Sequence, residues 1–361
     1  MKIVIIGAGV AGLSIGWKLA AKGADVTVLE RANAARAATW AAAGMIAATA
    51  ESAGAPPAEA ALCQASAQYW PKFAAAVEEQ SGQRIHYRKD GVLIAALTAE
   101  DADALKARAP SRFLNAADAF AIAPMLRPGI SGAMWDPDEA HVDNRALGTA
   151  LAIAFKRAGG TLSINEAVVR IEMDGERAIA ARTPFNVYHA DAFVLAAGAW
   201  TSQIDGLPDG TVPRITPVKG EMIALAPPSG EELPRCLLWG NEIYMASRHG
   251  RLLVGATADN VGFDTSLTDT AREFLFTHAT GLCPELHKWE IVDQWAGLRP
   301  RAADGLPVIG ASAVENLFIA SGQYRNGILF APALAESMRA IVLNEPPPVD
   351  IAPFSPRRFQ P

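Results

Sequence analysis

The chain opens on residues 2–6, Lys-Ile-Val-Ile-Ile, an apolar run with no polar break after its first residue. Such a run predicts a buried strand. A helical stretch follows to Lys22, Gly23 stops it, and residues 25–29 read as a second strand that ends on Glu30. Residues 32–50 are rich in alanine. Side chains that small either pack a helix tightly or let the backbone lie against a flat ligand, and composition alone favours packing. Pro56-Pro57 opens a helix predicted to reach residue 80, residues 86–97 read as strand with a turn at Asp90-Gly91, and residues 98–108 read as helix. Residues 144–157 form an amphipathic helix, with Asn144 as its expected cap and Gly159-Gly160 as its stop; residues 161–165 then complete a second β–α–β step.

Asp174-Gly175 is a hairpin turn, and residues 192–197 are another buried strand, stopped by Gly198-Ala199-Trp200. Residues 212–225, 242–247 and 251–257 read as strands of one sheet, broken by Arg248-His249-Gly250. A helix is expected over residues 266–282, closed by Pro284. A strand over residues 317–320 leads to a last helix, from about Ile328 to Leu343. No stretch repeats at a solenoid period.

Composition narrows the classes. The 361 residues suffice for two domains, and a hydrophobic half with 19% charged residues builds a large core. A net charge of −6 without Lys/Arg blocks argues against nucleic acid as a partner. A core strand starting at residue 2 leaves no room for a secretory signal, and the uncharged residues 37–50 are too few to span a bilayer. Cys63, Cys236 and Cys283 lie far apart, without a C-x-x-C, so a cytoplasmic chain with reduced thiols is expected. The six histidines have no metal-ligand spacing, so no metal is expected.

The chemistry starts at Gly7-Ala8-Gly9-Val10-Ala11-Gly12, a G-x-G-x-x-G between a strand and a helix. Gly7 permits the tight turn, Gly9 lets a pyrophosphate approach the backbone, and Gly12 lets the helix pack on the strand. The helix N-terminus offers unpaired N–H groups to phosphate, and Glu30 accepts hydrogen bonds from an adenosine ribose. No second fingerprint follows another strand, so one dinucleotide is held and no separate nicotinamide. Gly12-Leu13-Ser14-Ile15-Gly16 spells G-x-S-x-G, but Ser14 falls inside the helix rather than on a nucleophile elbow, so it reads as packing.

Five further motifs follow the dinucleotide turn in a fixed order: Ala41-Ala42-Ala43-Gly44-Met45, Pro217-Val218-Lys219-Gly220-Glu221, Gly250-Arg251-Leu252-Leu253-Val254-Gly255-Ala256-Thr257, Trp295-Ala296-Gly297-Leu298-Arg299-Pro300 and Arg325-Asn326-Gly327-Ile328. The series resembles the D-amino-acid oxidase family of FAD-dependent oxidoreductases, most of all the bacterial glycine oxidases of thiamine biosynthesis. The resemblance implies an α/β (mixed α+β) fold. In it, a Rossmann-type FAD-binding domain (residues 1–78, 141–214 and 292–361) interleaves with a substrate domain (residues 79–140 and 215–291) built on a large antiparallel sheet.

The resemblance also implies roles. Beside Gly7, Gly9 and Gly12, Val10 and Ala11 would lie at the pyrophosphate, Glu30 and Arg31 at the adenosine, and Val168 at the adenine. Ala38, Thr39, Ala43, Gly44 and Met45 would line the flavin, Gly198 would join them, and Gln323, Tyr324, Arg325, Asn326, Gly327, Ile328 and Leu329 would wrap the isoalloxazine. The glycines flanking that last turn open a helix whose dipole can face the flavin's electron-rich edge. Arg299 would bind the substrate carboxylate as a bidentate fork, assisted by Arg325, with Tyr244 closing over the substrate and Met45 beside it.

No cysteine falls in a flavin motif, so FAD is expected to be noncovalent. The implied reaction is oxidative deamination of glycine or a small D- or N-methyl amino acid by hydride transfer from Cα to flavin N5, with dioxygen as acceptor and hydrogen peroxide as product. A dehydrogenase passing electrons to a quinone or carrier is the alternative, and a non-catalytic flavin-binding protein is a further one. A homo-oligomer is implied, though no residue requires it. Where the family pattern has a histidine two positions before the tyrosine, this chain has Glu242. If the strand alternates there, Glu242 shares a face with Tyr244 and disfavours a second anionic group on the substrate; on a solvated rim it does nothing.

Overall fold

The computed structural model describes residues 1–360. The apolar Lys2–Ile6 run lies in the middle of a six-stranded sheet. It pairs in parallel with Asp25–Glu30 on one side and Ala192–Leu195 on the other. Thr161–Ile164 extends the sheet in parallel beyond Asp25–Glu30, so both β–α–β steps form as the pattern predicts. Leu317–Ser321 and the antiparallel Val308–Ala311 complete the other edge. Helices Val10–Ala20, Pro57–Ser81, Asn144–Arg157 and Gly327–Val342 cover one face. The three strands Arg170–Asp174, Arg177–Arg182 and Val187–His189 cover the other, through Ile171, Ala178 and Ala181.

The second sheet has eight strands. It is antiparallel except for one parallel pair, Val92–Ala96 with Leu237–Gly240. Its longest pairing joins Ile215–Ala226 to Glu290–Ala302. The latter strand was not legible, because Gly297 and Pro300 interrupt its pattern. It also crosses the expected boundary at residues 291/292: the whole strand, Arg299 included, belongs to this sheet rather than to the six-stranded one.

Period-two alternation places the chemistry. Ile223, Leu225, Ile243, Met245, Leu252 and Val254 face a core closed by the Asp269–Leu282 helix. Met222, Ala224, Tyr244 and Leu253 point the other way, against Ala41 and Ala43 of the alanine-rich segment. One face of this sheet is therefore core and the other is the wall of a cavity.

The long amphipathic helix has a different cap from the one expected. Asp143 accepts the N–H groups of Arg145 and Ala146, and Asn144 is the first helical residue. The Asn144 amide instead donates to the carbonyls of Thr39 and Trp40. Its neighbour supplies the cap because a carboxylate accepts two N–H groups at once, leaving the amide free to tie the alanine-rich segment down.

Candidate functional site

A cavity of about 840 Å³ runs from the tip of the Asp25–Glu30 strand, past the alanine-rich segment, to Arg299. Its first end is the glycine turn. Gly7 has φ +106°, and a Cβ there would lie 2.4 Å from the Ala196 carbonyl oxygen, so no other residue fits. Gly9, before the Val10–Ala20 helix, has no side chain to cap it, and Thr39 Oγ1 takes the Val10 N–H at 2.9 Å. The other first-turn N–H groups remain available to an anion.

Glu30 Oε2 accepts the Ala8 N–H at 2.8 Å and Oε1 the Ala32 N–H at 3.1 Å. The carboxylate thus locks the glycine turn to the strand tip while keeping lone pairs for a ribose. Glu30→Gln replaces one acceptor oxygen with a donor and sets it against an N–H. It is expected to weaken FAD binding by on the order of tenfold, measured by flavin fluorescence titration of the apoprotein. Arg31 stacks 4.3 Å over Trp200, which also lines the cavity.

The alanine-rich segment both lines the cavity and packs tightly. Ala38, Thr39, Ala43, Gly44 and Met45 line the cavity. Ala41 lines it too and packs at backbone distance on Gly297, where a Cβ would come within 2.4 Å of the alanine's own. Gly44 takes φ +79° with its Cβ direction blocked by the Val142 carbonyl, so a glycine is required. Arg248, not anticipated from sequence, donates to the carbonyls of Ala43 and Val142 and to the Asn144 amide oxygen. Burial pushes its guanidinium down to about 10, the cost of using a charge as a strut.

Val10, Ala11, Val168, Gly198, Gln323, Tyr324, Asn326, Gly327 and Ile328 also line the cavity. Gly12 and Leu329 do not. Gly12 is the contact between helix and glycine turn, and the Leu329 carbonyl points away to accept from Ser66 Oγ at 2.7 Å and Trp70 Nε1 at 2.9 Å. Leu329 lies one residue too far into the Gly327–Val342 helix to reach the cavity.

At the far end, Arg299 Nη1 donates to the Thr257 carbonyl at 2.9 Å. Its guanidinium lies flat on Gly220, where a Cβ would come within 2.3 Å of it. Tyr244 is buried with its hydroxyl 3.7 Å from Met222 Sδ; burial raises the phenol while Arg299 and Arg325 pull it back. Arg325 Nε stands 3.7 Å from Glu51, an acid that sequence reasoning missed. Desolvation holds Glu51 above the ordinary carboxylate range, against the opposing pull of Arg325 and Arg299. Its one sequence signal is that it is the first charge after the uncharged residues 37–50. Met222 and Trp239 complete the wall.

Glu242 sits differently from the strand position considered. The strand begins at Ile243, and Asn241 and Glu242, with φ +51° and +65°, form the two-residue hairpin turn before it. Alternation therefore does not carry its carboxylate to the Tyr244 face. The side chain is 75% exposed at the cavity rim, 3.3 Å from His278 Nε2.

The residues fit FAD. The cavity joins a phosphate-binding turn to a chamber holding two guanidinium groups, and Gln323 Nε2 and Asn326 Oδ1 are buried in its lining without partners among the described residues. Cys63, Cys236 and Cys283 are buried outside that lining, which leaves no thiol at the cavity for a covalent link.

Among the described residues no helix is long and apolar enough to cross a membrane. The sequence profile of the DAO family, FAD dependent oxidoreductases, matches residues 2–341. A bifunctional protein ThiO/ThiG of Trichormus variabilis is 33% identical over 99% of this chain and 55% of its own length. The chain spans about half the length of such bifunctional relatives. A glycine oxidase of Pseudomonas aeruginosa is 31% identical over 98% of both chains. The crystal structure of glycine oxidase from Geobacillus kaustophilus superposes with a TM-score of 0.92 at 31% identity, covering 98% of each chain. With its dinucleotide turn, its cavity and these matches along nearly its whole length, the chain belongs to the DAO family of FAD-dependent oxidoreductases, and FAD is its cofactor.

Proposed function

We propose that the protein is an amino acid oxidase that deaminates glycine or a small D- or N-methyl amino acid, releasing a 2-oxo acid and ammonia or an amine. The observation that carries this reading is Arg299, a guanidinium laid flat on Gly220 at the end of the FAD cavity, beside Tyr244 and across from Glu51. Bound FAD supplies the two-electron acceptor for the substrate Cα–H. The protein's own residues bind and orient.

Arg299 takes the carboxylate in two charge-assisted hydrogen bonds, and Arg325 adds a second positive charge. The two guanidiniums and Glu51 leave one positive charge over, which a carboxylate neutralises, while Glu51 accepts from the amino group. Its raised basicity suits it to receive the ammonium proton that must leave before the Cα–H is given up. Met45, Met222, Trp239 and Tyr244 wall the space beyond Cα and favour small substrates. With dioxygen as final acceptor, one amino acid, one O₂ and one water give one 2-oxo acid, one ammonia and one H₂O₂.

The test is anaerobic bleaching of the flavin by glycine, sarcosine, D-alanine and L-proline, followed by peroxide assay in air. Glycine or sarcosine is expected to bleach, with peroxide matching substrate consumed. No bleaching by any of the four would overturn the reading, and recovery of colour only on adding a quinone would make the protein a dehydrogenase. The noncovalent state is checked in the same preparation, since acid precipitation is expected to release all the flavin.

The raised Glu51 carboxyl gives this reaction a pH signature. Its ionised form is lost as pH falls through a value above the usual glutamate range, so kcat/KM is expected to decline on the acid side earlier than an exposed glutamate would require. Glu51→Gln should remove that acid limb and lower the plateau. A profile unchanged by the substitution would take Glu51 out of the reaction.

A further inference from the structure

Glu139 lies outside the cavity, between the Gly132–Asp136 and Ala140–His141 strands, yet is only 4% exposed. It accepts the Thr49 N–H at 2.5 Å, and the Thr49 hydroxyl and Ala48 N–H lie against the same carboxylate. From the other side Arg108, the last residue of the Ala99–Arg108 helix, donates to the Thr49 carbonyl. The segment so gripped, Ala48–Glu51, is a single helical turn with no side-chain cap of its own. The Glu51 N–H is bonded to the Ala47 carbonyl at 2.8 Å, but the Ala48 and Thr49 N–H groups would otherwise stay unpaired in surroundings where Ala47, Ala48 and Ala50 are all buried. The turn ends on Glu51, whose carboxylate faces Arg325.

A buried carboxylate is costly, and a short polar side chain would satisfy one N–H more cheaply. What Glu139 adds is rigidity. Two groups of opposite charge hold the N–H and the carbonyl of the same residue, Thr49, and the next residue but one carries the acid of the cavity wall. We propose that Glu139, braced by Arg108, is a positioning residue that fixes the Ala48–Glu51 turn so that Glu51 meets the substrate's amino group. This rests on the reading of Glu51 given above.

The experiment uses the FAD-loaded protein with glycine as substrate and compares Glu139→Ala, Glu139→Gln, Arg108→Met, Glu51→Gln and the double variant Glu139→Ala/Glu51→Gln. Glu139→Ala is expected to raise KM by about tenfold with kcat changed much less, at unchanged FAD content. Glu139→Gln, which keeps one acceptor for the Thr49 N–H, should restore most of the loss, and Arg108→Met should move KM the same way. In the Glu51→Gln background Glu139→Ala should add nothing to KM, because it acts through the group already removed. An equal fold-change in both backgrounds would overturn the proposal, as would a wild-type KM in Glu139→Ala. If Glu139→Ala does not fold, Glu139→Gln and Arg108→Met decide: wild-type KM in both overturns the proposal. If Glu51→Gln leaves KM unchanged while Arg299→Ala still destroys activity, the positioning role falls and the oxidase reading stands; silence of Arg299→Ala would sink the oxidase reading itself.

Discussion

Arg299→Ala is expected to lower kcat/KM for glycine by about a hundredfold or more, roughly 3 kcal/mol of transition-state binding, with FAD content unchanged. The residue is built for a ligand. One of its nitrogens is spent on the Thr257 carbonyl, which fixes the plane of the guanidinium, and Gly220 gives that plane a flat bed. The remaining N–H groups are then pre-oriented, so binding a carboxylate costs little side-chain entropy. Arg299→Lys should not rescue, because an ammonium has neither the plane nor the fork. Steady-state kinetics together with the flavin-to-protein absorbance ratio check both halves. Unchanged kinetics on every amino acid tested would remove the central assignment.

The same arrangement explains why the cavity wall is charged at all. In the proposed reaction Arg299, Arg325 and Glu51 complement an α-amino acid zwitterion, whereas a flavin scaffold without turnover has no use for two guanidiniums facing a sheltered carboxyl of raised pKa. Glu242 stands outside this group. Turned toward His278 at an exposed rim, it is poorly placed to select among substrates by charge, because solvent screens it.

What was legible in the sequence was what is local. The glycine turn, its helix and Glu30 lie within one β–α–β unit, and each follows from neighbours a few residues away. The walls of the substrate end were harder. Arg299 lies on a strand whose glycine and proline hide its period, and it could be placed by resemblance but not by pattern. Arg248 carries no local signal and Glu51 only its place after an uncharged run, because what defines both is burial against segments over a hundred residues away in sequence. Caps are recognised by residue type, and type alone does not say which of Asp143 and Asn144 turns inward. At Glu242 the pattern does not separate strand from turn, because the glycine signal falls at Gly240 while the two residues with positive φ are Asn241 and Glu242.

Gly12→Ala should be among the most damaging single methyl groups that could be added to the protein. A Cβ at Gly12 would stand 1.9 Å from the Gly7 carbonyl oxygen and 3.4 Å from the Ala196 Cβ. Neither neighbour can give way: Gly7 N–H is bonded to the Leu29 carbonyl at 2.7 Å, and Ala196 N–H to the Ile6 carbonyl at 2.8 Å, both within the central sheet. The Val10–Ala20 helix must move bodily off the strand, breaking a core of Leu13, Ile15 and Leu19 that is wholly buried. Overpacking of that kind costs on the order of 3 kcal/mol or more, and the melting temperature should fall by about 5 °C or more with FAD retention lost. Gly9→Ala separates the two effects. Its Cβ would meet nothing closer than Thr39 Oγ1 at 3.4 Å, an ordinary contact, so the apoprotein should fold and melt normally while the added methyl stands where a pyrophosphate must approach. Calorimetry of both apoproteins and flavin titration of each distinguish a lost fold from a lost ligand; a Gly12→Ala protein that melts like the wild type and keeps its FAD would show that the helix does not rest on the glycine turn.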